Sequence, residues 1–256
     1  QHKIRTYIVP KISDILIRNA YEITALDTPI VMVKGTGLSL VDRFLKRTLD
    51  IVLCVMALLI AWPFMLITAI AIKMEDGGPV FYRQERVTTY GERFRIFKFR
   101  TMVSDADKKG THVTVKNDSR ITRVGQLIRK CRLDEISQLI DVLRGTMTFV
   151  GTRPEAVKYV EHYTDEMQAT FLLPAGITSL ASIYYKDEDE LLNQAADADK
   201  TYIEDILPDK MYYNLRQIKT FTFWSDLGTM IKTVLAVLGK EYTDNGKKSP
   251  DGEPLS

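Results

Sequence analysis

Residues 51–72 carry no charged side chain, and the run is bounded by Asp50 and Lys73. In a helix rising ~1.5 Å per residue, such a stretch is long enough to cross the hydrocarbon core of a bilayer. Soluble core helices seldom run so long without a charge, so a buried core helix is the weaker alternative. Pro63 falls near the middle of the run. A proline removes one helical hydrogen bond and bends the axis, which leaves either a kinked span or a segment that enters and returns on one side. Basic residues flank both ends: Arg43, Lys46 and Arg47 before, Lys73, Arg83 and Arg86 after. Lys and Arg favour the cytoplasmic side, so the symmetry predicts a re-entrant hairpin that reverses at Pro63 with both ends cytoplasmic.

The rest of the chain reads as a folded domain. Of 256 residues, 45% are hydrophobic and 27% charged, which excludes a disordered, collagenous or polytopic membrane protein. Two cysteines, Cys54 and Cys131, exclude a disulfide scaffold and a thiolate-rich metal site, and the three histidines show no ligand spacing. The net charge of +2 divides into +3 for residues 1–72, +6 for 73–152 and −7 for 153–256. The basic middle third is built to meet an anion, while the near-neutral whole argues against nucleic acid as partner.

The predicted fold is α+β and mainly helical: a re-entrant membrane helix hairpin and a cytoplasmic catalytic domain with a small β-hairpin. Residues 1–42 read as strand (5–9), helix (13–20) and strand (29–33), the end of an upstream nucleotide-binding-like domain. With Gln1 in place of methionine, the chain is expected to be a fragment or a processed form. Residues 43–242 form the catalytic domain, with the membrane segment at 51–72, and 243–256 a polar tail. The helix stop Asp76-Gly77-Gly78-Pro79 leads into a hairpin of strands 80–83 and 94–100 around Gly91. Helices are expected at 122–131, 134–144, 154–171, 187–196, 200–219 and 224–239.

Three features bear chemistry. Asp134-Glu135 opens an amphipathic helix, where Asp as cap and Glu as dipole complement is the ordinary explanation. The functional alternative uses the ~100° between neighbours on a helix to give one acid the role of nucleophile and the other that of metal ligand. Cations crowd both sides of the pair: Arg83, Arg86, Lys98, Arg100, Arg120, Arg123, Arg129, Arg132, Arg144 and Arg153. A solvated or headgroup-facing patch explains most of these, but arginine also binds phosphate bidentately. The third feature, Phe149 to Pro154, is an apolar stretch ending in a turn that fixes Arg153.

In this order the residues resemble the bacterial sugar transferases, monotopic phosphoglycosyl transferases that start glycan assembly on polyprenyl phosphate. The resemblance covers 43–240. It runs from Lys46-Arg47 and Asp50 through the Pro63-broken segment, Gly78-Pro79-Val80-Phe81, Arg83-Gln84 and Lys98-Phe99-Arg100-Thr101-Met102. It continues with Asp118 to Arg123, Gly125, Arg129, Leu133-Asp134-Glu135, Gln138-Leu139, Val142-Leu143, Gly145 and Val150-Gly151. The ordered series is more specific than any one motif.

The resemblance implies Mg²⁺, a nucleotide-sugar donor (usually a UDP-sugar), a polyprenyl phosphate acceptor, contact with membrane lipids and a bacterial inner-membrane location facing the cytoplasm. Homo-oligomerisation is left open. Asp134 would be the nucleophile, Glu135 with Asp134 would hold Mg²⁺, and Lys98, Arg100, Arg129 and Arg153 would face phosphate. Alternatives are a catalytically silent membrane scaffold of a glycan assembly complex and a transferase of bare sugar to lipid. Thr146, Thr152, Ala175 and Ser179 depart from the family's usual Asp, Pro, Pro and Gly, and the sugar is not assigned.

Overall fold

The computed structural model describes residues 21–25, 28–32, 40–104, 106, 118–185, 188, 191–192, 195, 197–239 and 242. Two short antiparallel strands come first, β1 (Tyr21–Ala25) and β2 (Thr28–Met32). The second overlaps the expected strand at 29–33; the first was not anticipated. The expected elements at 5–9 and 13–20, and the tail at 243–256, lie outside the described residues.

The apolar run belongs to one helix, α1 (Leu40–Asp76), that continues through Pro63. At Pro63, where the sequence predicts a reversal, the helix is unbroken. The reason is tertiary: both halves of α1 lie against the same body. Lys46, Asp50, Cys54, Ala61, Thr68 and Ile72 are its buried positions, at spacings that make one helical face. Cys54 and Ala61 pack with Ile96, Leu139, Val142 and Met147, while Ile72 packs with Phe99 and Ile128. The opposite face, including Val52, Leu59, Ile60, Phe64 and Ile67, is exposed. Only 17% of the most apolar window is buried, so α1 is no ordinary core helix.

Asp76 accepts from the Gly78 N–H at 3.0 Å and ends α1. The β-hairpin follows, β3 (Phe81–Val87) paired antiparallel with β4 (Arg93–Phe99); the first strand runs on to Val87 beyond the expected end at Arg83, and the second is shifted by one residue. A 3₁₀ turn at Thr89–Gly91 joins them, with Gly91 at φ +77. Next is α2 (Arg123–Lys130), whose cap Thr122 accepts from the Gly125 N–H. The expected helix 134–144 divides into a 3₁₀ turn, Leu133–Gln138, and α3 (Leu139–Arg144), which stops at Gly145 with φ +85.

Two short strands, β5 (Met147–Val150) and β6 (Ala175–Thr178), pair in parallel. Gly151 and Gly176 let the chains approach closely at the end of β5. A Cβ on Gly176 would stand 2.2 Å from the Gly151 nitrogen. The expected helix 154–171 is not continuous: it holds α4 (Val157–Val160) and a 3₁₀ turn at Met167–Leu172. Most of the expected helix 187–196 lies outside the described residues.

After α5 (Leu180–Tyr184) and α6 (Ala198–Thr201) comes a π turn, Tyr202–Ile206, and then α7 (Leu207–Lys219). Pro208 has no N–H to return, which accounts for the widened turn ahead of it. The final helix, α8 (Phe223–Val237), starts in a capping box of Thr222 and Ser225.

Candidate active site

Asp134 and Glu135 sit in the first turn of the 3₁₀ segment, but neither caps it. The cap position is Arg132, in the left-handed region at φ 55, with no side-chain cap bond. The ordinary explanation of the acid pair as a helix cap thus fails on geometry. Both carboxylates point instead at cations. Lys98 Nζ on β4 is 2.9 Å from Asp134 Oδ2 and 3.4 Å from Glu135 Oε1. Arg153 grips Glu135 with both terminal nitrogens, Nη1 lying 3.4 Å from Oε2. The Asp134 side chain is 8% exposed and that of Lys98 31%.

Burial alone would push the Glu135 carboxyl up. Arg153 and Lys98 overcome that and hold it well below the usual carboxylate range. In return Glu135, against the opposing effect of burial, raises the Arg153 guanidinium above its ordinary value. Glu135 is therefore an ionised carboxylate throughout the physiological range.

The turn carrying Arg153 is fixed from three directions. Arg86 Nη1 donates to the Pro154 carbonyl at 3.1 Å, the Gly176 N–H to the Thr152 carbonyl at 2.9 Å, and the Gly151 N–H to the Thr178 carbonyl at 3.0 Å. Behind it, Lys210 Nζ is 3.1 Å from Glu155 Oε1, 3.1 Å from Glu188 Oε2 and 2.9 Å from the Tyr202 hydroxyl. Lys210 and Glu155 are both buried. No local pattern betrays this network, because its members are brought together only by α7 packing behind the turn.

Arg129 lies in the last turn of α2 and its Nε donates to Thr101 Oγ1 at 2.8 Å. Gly125 makes this possible: a Cβ there would lie 2.1 Å from the Thr101 carbonyl oxygen, so only glycine lets α2 approach. Arg100, buried, is held by Asp76 through both terminal nitrogens and donates to Ser104 Oγ at 2.7 Å. Asp76, which from sequence was only a helix-stop residue, is thus the partner of a predicted phosphate-binding arginine. Arg120 is paired likewise with Asp118 at 2.6 Å.

These groups surround a cavity of about 270 Å³. Seven cations line it (Arg83, Arg86, Lys98, Arg100, Arg120, Arg129 and Arg153) against one carboxylate, Glu135. Arg86 and Arg100 each bring a buried Nε with no hydrogen-bond partner. All four predicted phosphate-binding cations therefore meet at one cavity beside the acid pair. Its excess of positive charge suits an anion such as phosphate.

Among the described residues no group of three or more His, Cys, Asp or Glu side chains could hold an ion. Asp134 and Glu135 nevertheless converge on one cationic point, now filled by the Lys98 ammonium. Mg²⁺ usually takes one or two carboxylates and completes its shell with water and substrate phosphate, so the pair fits it.

The departures from the family pattern have structural places. Thr146 Oγ1 donates to the Asp141 carbonyl at 3.1 Å behind the end of α3. Thr152 supplies the carbonyl that fastens Gly176, Ala175 is buried at the start of β6, and Ser179 caps α5 by accepting from the Ser182 N–H at 3.1 Å.

A family model described as bacterial sugar transferase matches residues 41–240. The chain is 36% identical over 198 residues to a UDP-N-acetylgalactosamine-undecaprenyl-phosphate N-acetylgalactosaminephosphotransferase of Aeromonas hydrophila, covering 76% of this chain and 44% of that protein. A UDP-glucose:undecaprenyl-phosphate glucose-1-phosphate transferase of Xanthomonas campestris pv. campestris is 32% identical over 249 residues, 94% of this chain and 49% of that one. A protein of the same description from Caulobacter vibrioides is 34% identical over 207 residues, covering 78% and 71% of the two chains. The chain thus spans about half the length of the first two of these relatives.

Proposed function

Since the chain belongs to the bacterial sugar transferase family, we propose that it transfers a sugar 1-phosphate from a nucleotide-sugar, a UDP-sugar, to polyprenyl phosphate. The products are polyprenyl-diphosphate-sugar and UMP, in the first membrane step of exopolysaccharide, capsule, O-antigen or glycoprotein glycan synthesis. The observation that carries this reading is the acid pair at the edge of a cavity whose walls hold seven cations. Relatives named for UDP-sugars and undecaprenyl phosphate support it.

The donor diphosphate lies among Arg129, Arg153 and the neighbouring cations, which offset its repulsion from the carboxylates. Charge-assisted hydrogen bonds of this kind contribute ~1.5–3 kcal/mol each. An Asp134 carboxylate oxygen attacks the phosphorus bearing the sugar. A new O–P bond forms, the bond to UMP breaks, and UMP leaves with the electron pair. An oxygen of polyprenyl phosphate then attacks the same phosphorus and the Asp134 carboxylate leaves. Glu135 and Asp134 would hold Mg²⁺, which when bound supplies positive charge for the phosphate oxygens. Glu135 also keeps Arg153 in place.

The exposed face of α1 lies in lipid. Because both its ends are tied to one body, through Lys46 and Asp226 at one end and Asp76 and Arg100 at the other, the helix enters the bilayer from one side. That body faces the cytoplasm at the bacterial inner membrane.

Purified protein is incubated with a panel of UDP-sugars, Mg²⁺ and polyprenyl phosphate, and the released nucleotide is measured. UMP is the expected product; UDP in its place would overturn phosphosugar transfer. Asp134→Asn is expected to abolish release while leaving membrane association intact, and undiminished release would overturn its role as nucleophile.

A further inference from the structure

We infer that Lys98 is the resting counter-ion of the Asp134-Glu135 pair and that it competes with the divalent cation for the two carboxylates, passing to the donor phosphate when the metal binds. This rests on the reading of the pair as nucleophile and metal ligand.

Three observations carry it. Lys98 Nζ bridges the two carboxylates at 2.9 and 3.4 Å, so one ammonium stands where their oxygens converge. Lys98 lines the cavity, which Asp134 does not, and touches Asp134 at 2.9 Å, so a donor in the cavity meets the ammonium that holds the nucleophile. Finally, its side chain is 31% exposed against 8% for Asp134, which leaves the cation room to move and the carboxylate little.

The chemistry of the two cations at the pair assigns them different tasks. Arg153 holds Glu135 through a planar fork with fixed geometry, suited to permanent pairing. Lys98 presents a compact point charge on a flexible stem, which a divalent ion can replace. Two neighbouring carboxylates are stabilised by such a counter-ion before any metal arrives, since like charges repel. With a divalent ion on the carboxylates, the ammonium is repelled by it and attracted by the diphosphate in the same cavity. Lys98 would thereby mask Asp134 until donor and metal are both present.

The test is direct Mn²⁺ binding to the purified full chain without donor, followed by electron paramagnetic resonance, for wild type, Lys98→Gln and Lys98→Arg. Lys98→Gln is expected to bind Mn²⁺ about tenfold more tightly than wild type, and UDP without metal about tenfold more weakly. Lys98→Arg keeps the charge and is expected to bind Mn²⁺ within about threefold of wild type. Adding Glu135→Gln to Lys98→Gln is expected to remove the gain. Mn²⁺ affinity unchanged or weakened in Lys98→Gln would overturn the inference, as would equal tightening in Lys98→Arg. Failure of the nucleophile assignment is read separately, from UMP release by Asp134→Asn.

Discussion

Lys46 Nζ, near the start of the apolar helix, donates to the carbonyl oxygen of Val150, the last residue of β5, at 2.8 Å across 104 positions of sequence. The same ammonium pairs with Asp226 on α8. Two residues beyond β5's neighbour Gly151 stands Arg153, so this contact fixes the apolar helix to the strand that leads to the arginine paired with Glu135. Asp50, one turn further along α1, accepts from Thr148 Oγ1 at 2.6 Å and from the Phe149 N–H at 3.2 Å.

Breaking that junction on one side leaves a buried charge alone. Lys46→Met is expected to destabilise the folded chain by about 3–5 kcal/mol, and Lys46→Met with Asp226→Leu by much less, because the second change removes the stranded carboxylate. Thermal unfolding in detergent checks this; a double variant as unstable as the single one would show that the pair's charge is not what matters.

Close approach of α2 to Thr101 depends on the missing side chain of Gly125. Gly125→Ala places a Cβ 2.1 Å from a backbone oxygen, which has no flexible end to move aside. A loss of about 1–3 kcal/mol in stability is expected, with transfer falling at least about tenfold as Arg129 leaves Thr101. Steady-state kinetics and unfolding midpoints read the two effects.

For Glu135 the sign of the pH effect follows from its depressed pKa. A carboxyl held below its unfolded value of about 4.3 adds stability above that pH, and the gain is lost as pH falls further toward the folded value. Between pH 5 and 8 this group contributes no slope. Glu135→Gln is therefore expected to flatten the fall in stability below about pH 4, measured by unfolding across acid buffers, while leaving the neutral range parallel to wild type.

Leu59 and Ile60 stand on the exposed face of α1, within the uncharged run. Ile60→Asp is expected to weaken membrane association by about 2.5–3.5 kcal/mol. The same change at Leu40, also exposed but before the apolar run, is expected to cost far less. Partition between membrane and soluble fractions compares them, and equal effects would show that the face does not lie in lipid. Probes placed at Arg43 and at Glu75 are both expected to react only from the cytoplasmic side.

The residue types of the candidate site are legible along the chain, because an acid pair, Asp134-Glu135, lies among ten cations. It is the family resemblance that singles out Lys98, Arg100, Arg129 and Arg153 from these, and the hairpin around Gly91 follows from the two apolar–basic stretches on either side of it. The partners could not be read. Asp76 beside Arg100 and Thr101 beside Arg129 are separated by 24 and 28 residues, and Glu155 and Lys210 by 55. Local pattern carries no information about such pairs. Pro63 is the opposite case: proline weakens a helix locally, but Cys54 and Ile72 pack against one body and the helical run is unbroken between them.

What the sequence by itself determined is composition along the line: a long uncharged run, a basic third, and an acid pair between cations. These are properties of residue type and spacing, and burial or solvation acts on them wherever the chain goes. The tertiary structure alone decided which cation meets which carboxylate. It put Lys98 between two acids, clamped Arg153 to one of them, and bound both ends of the apolar helix to one domain. Ion pairs and packing act over a few ångströms, and only folding brings positions far apart in sequence within that range.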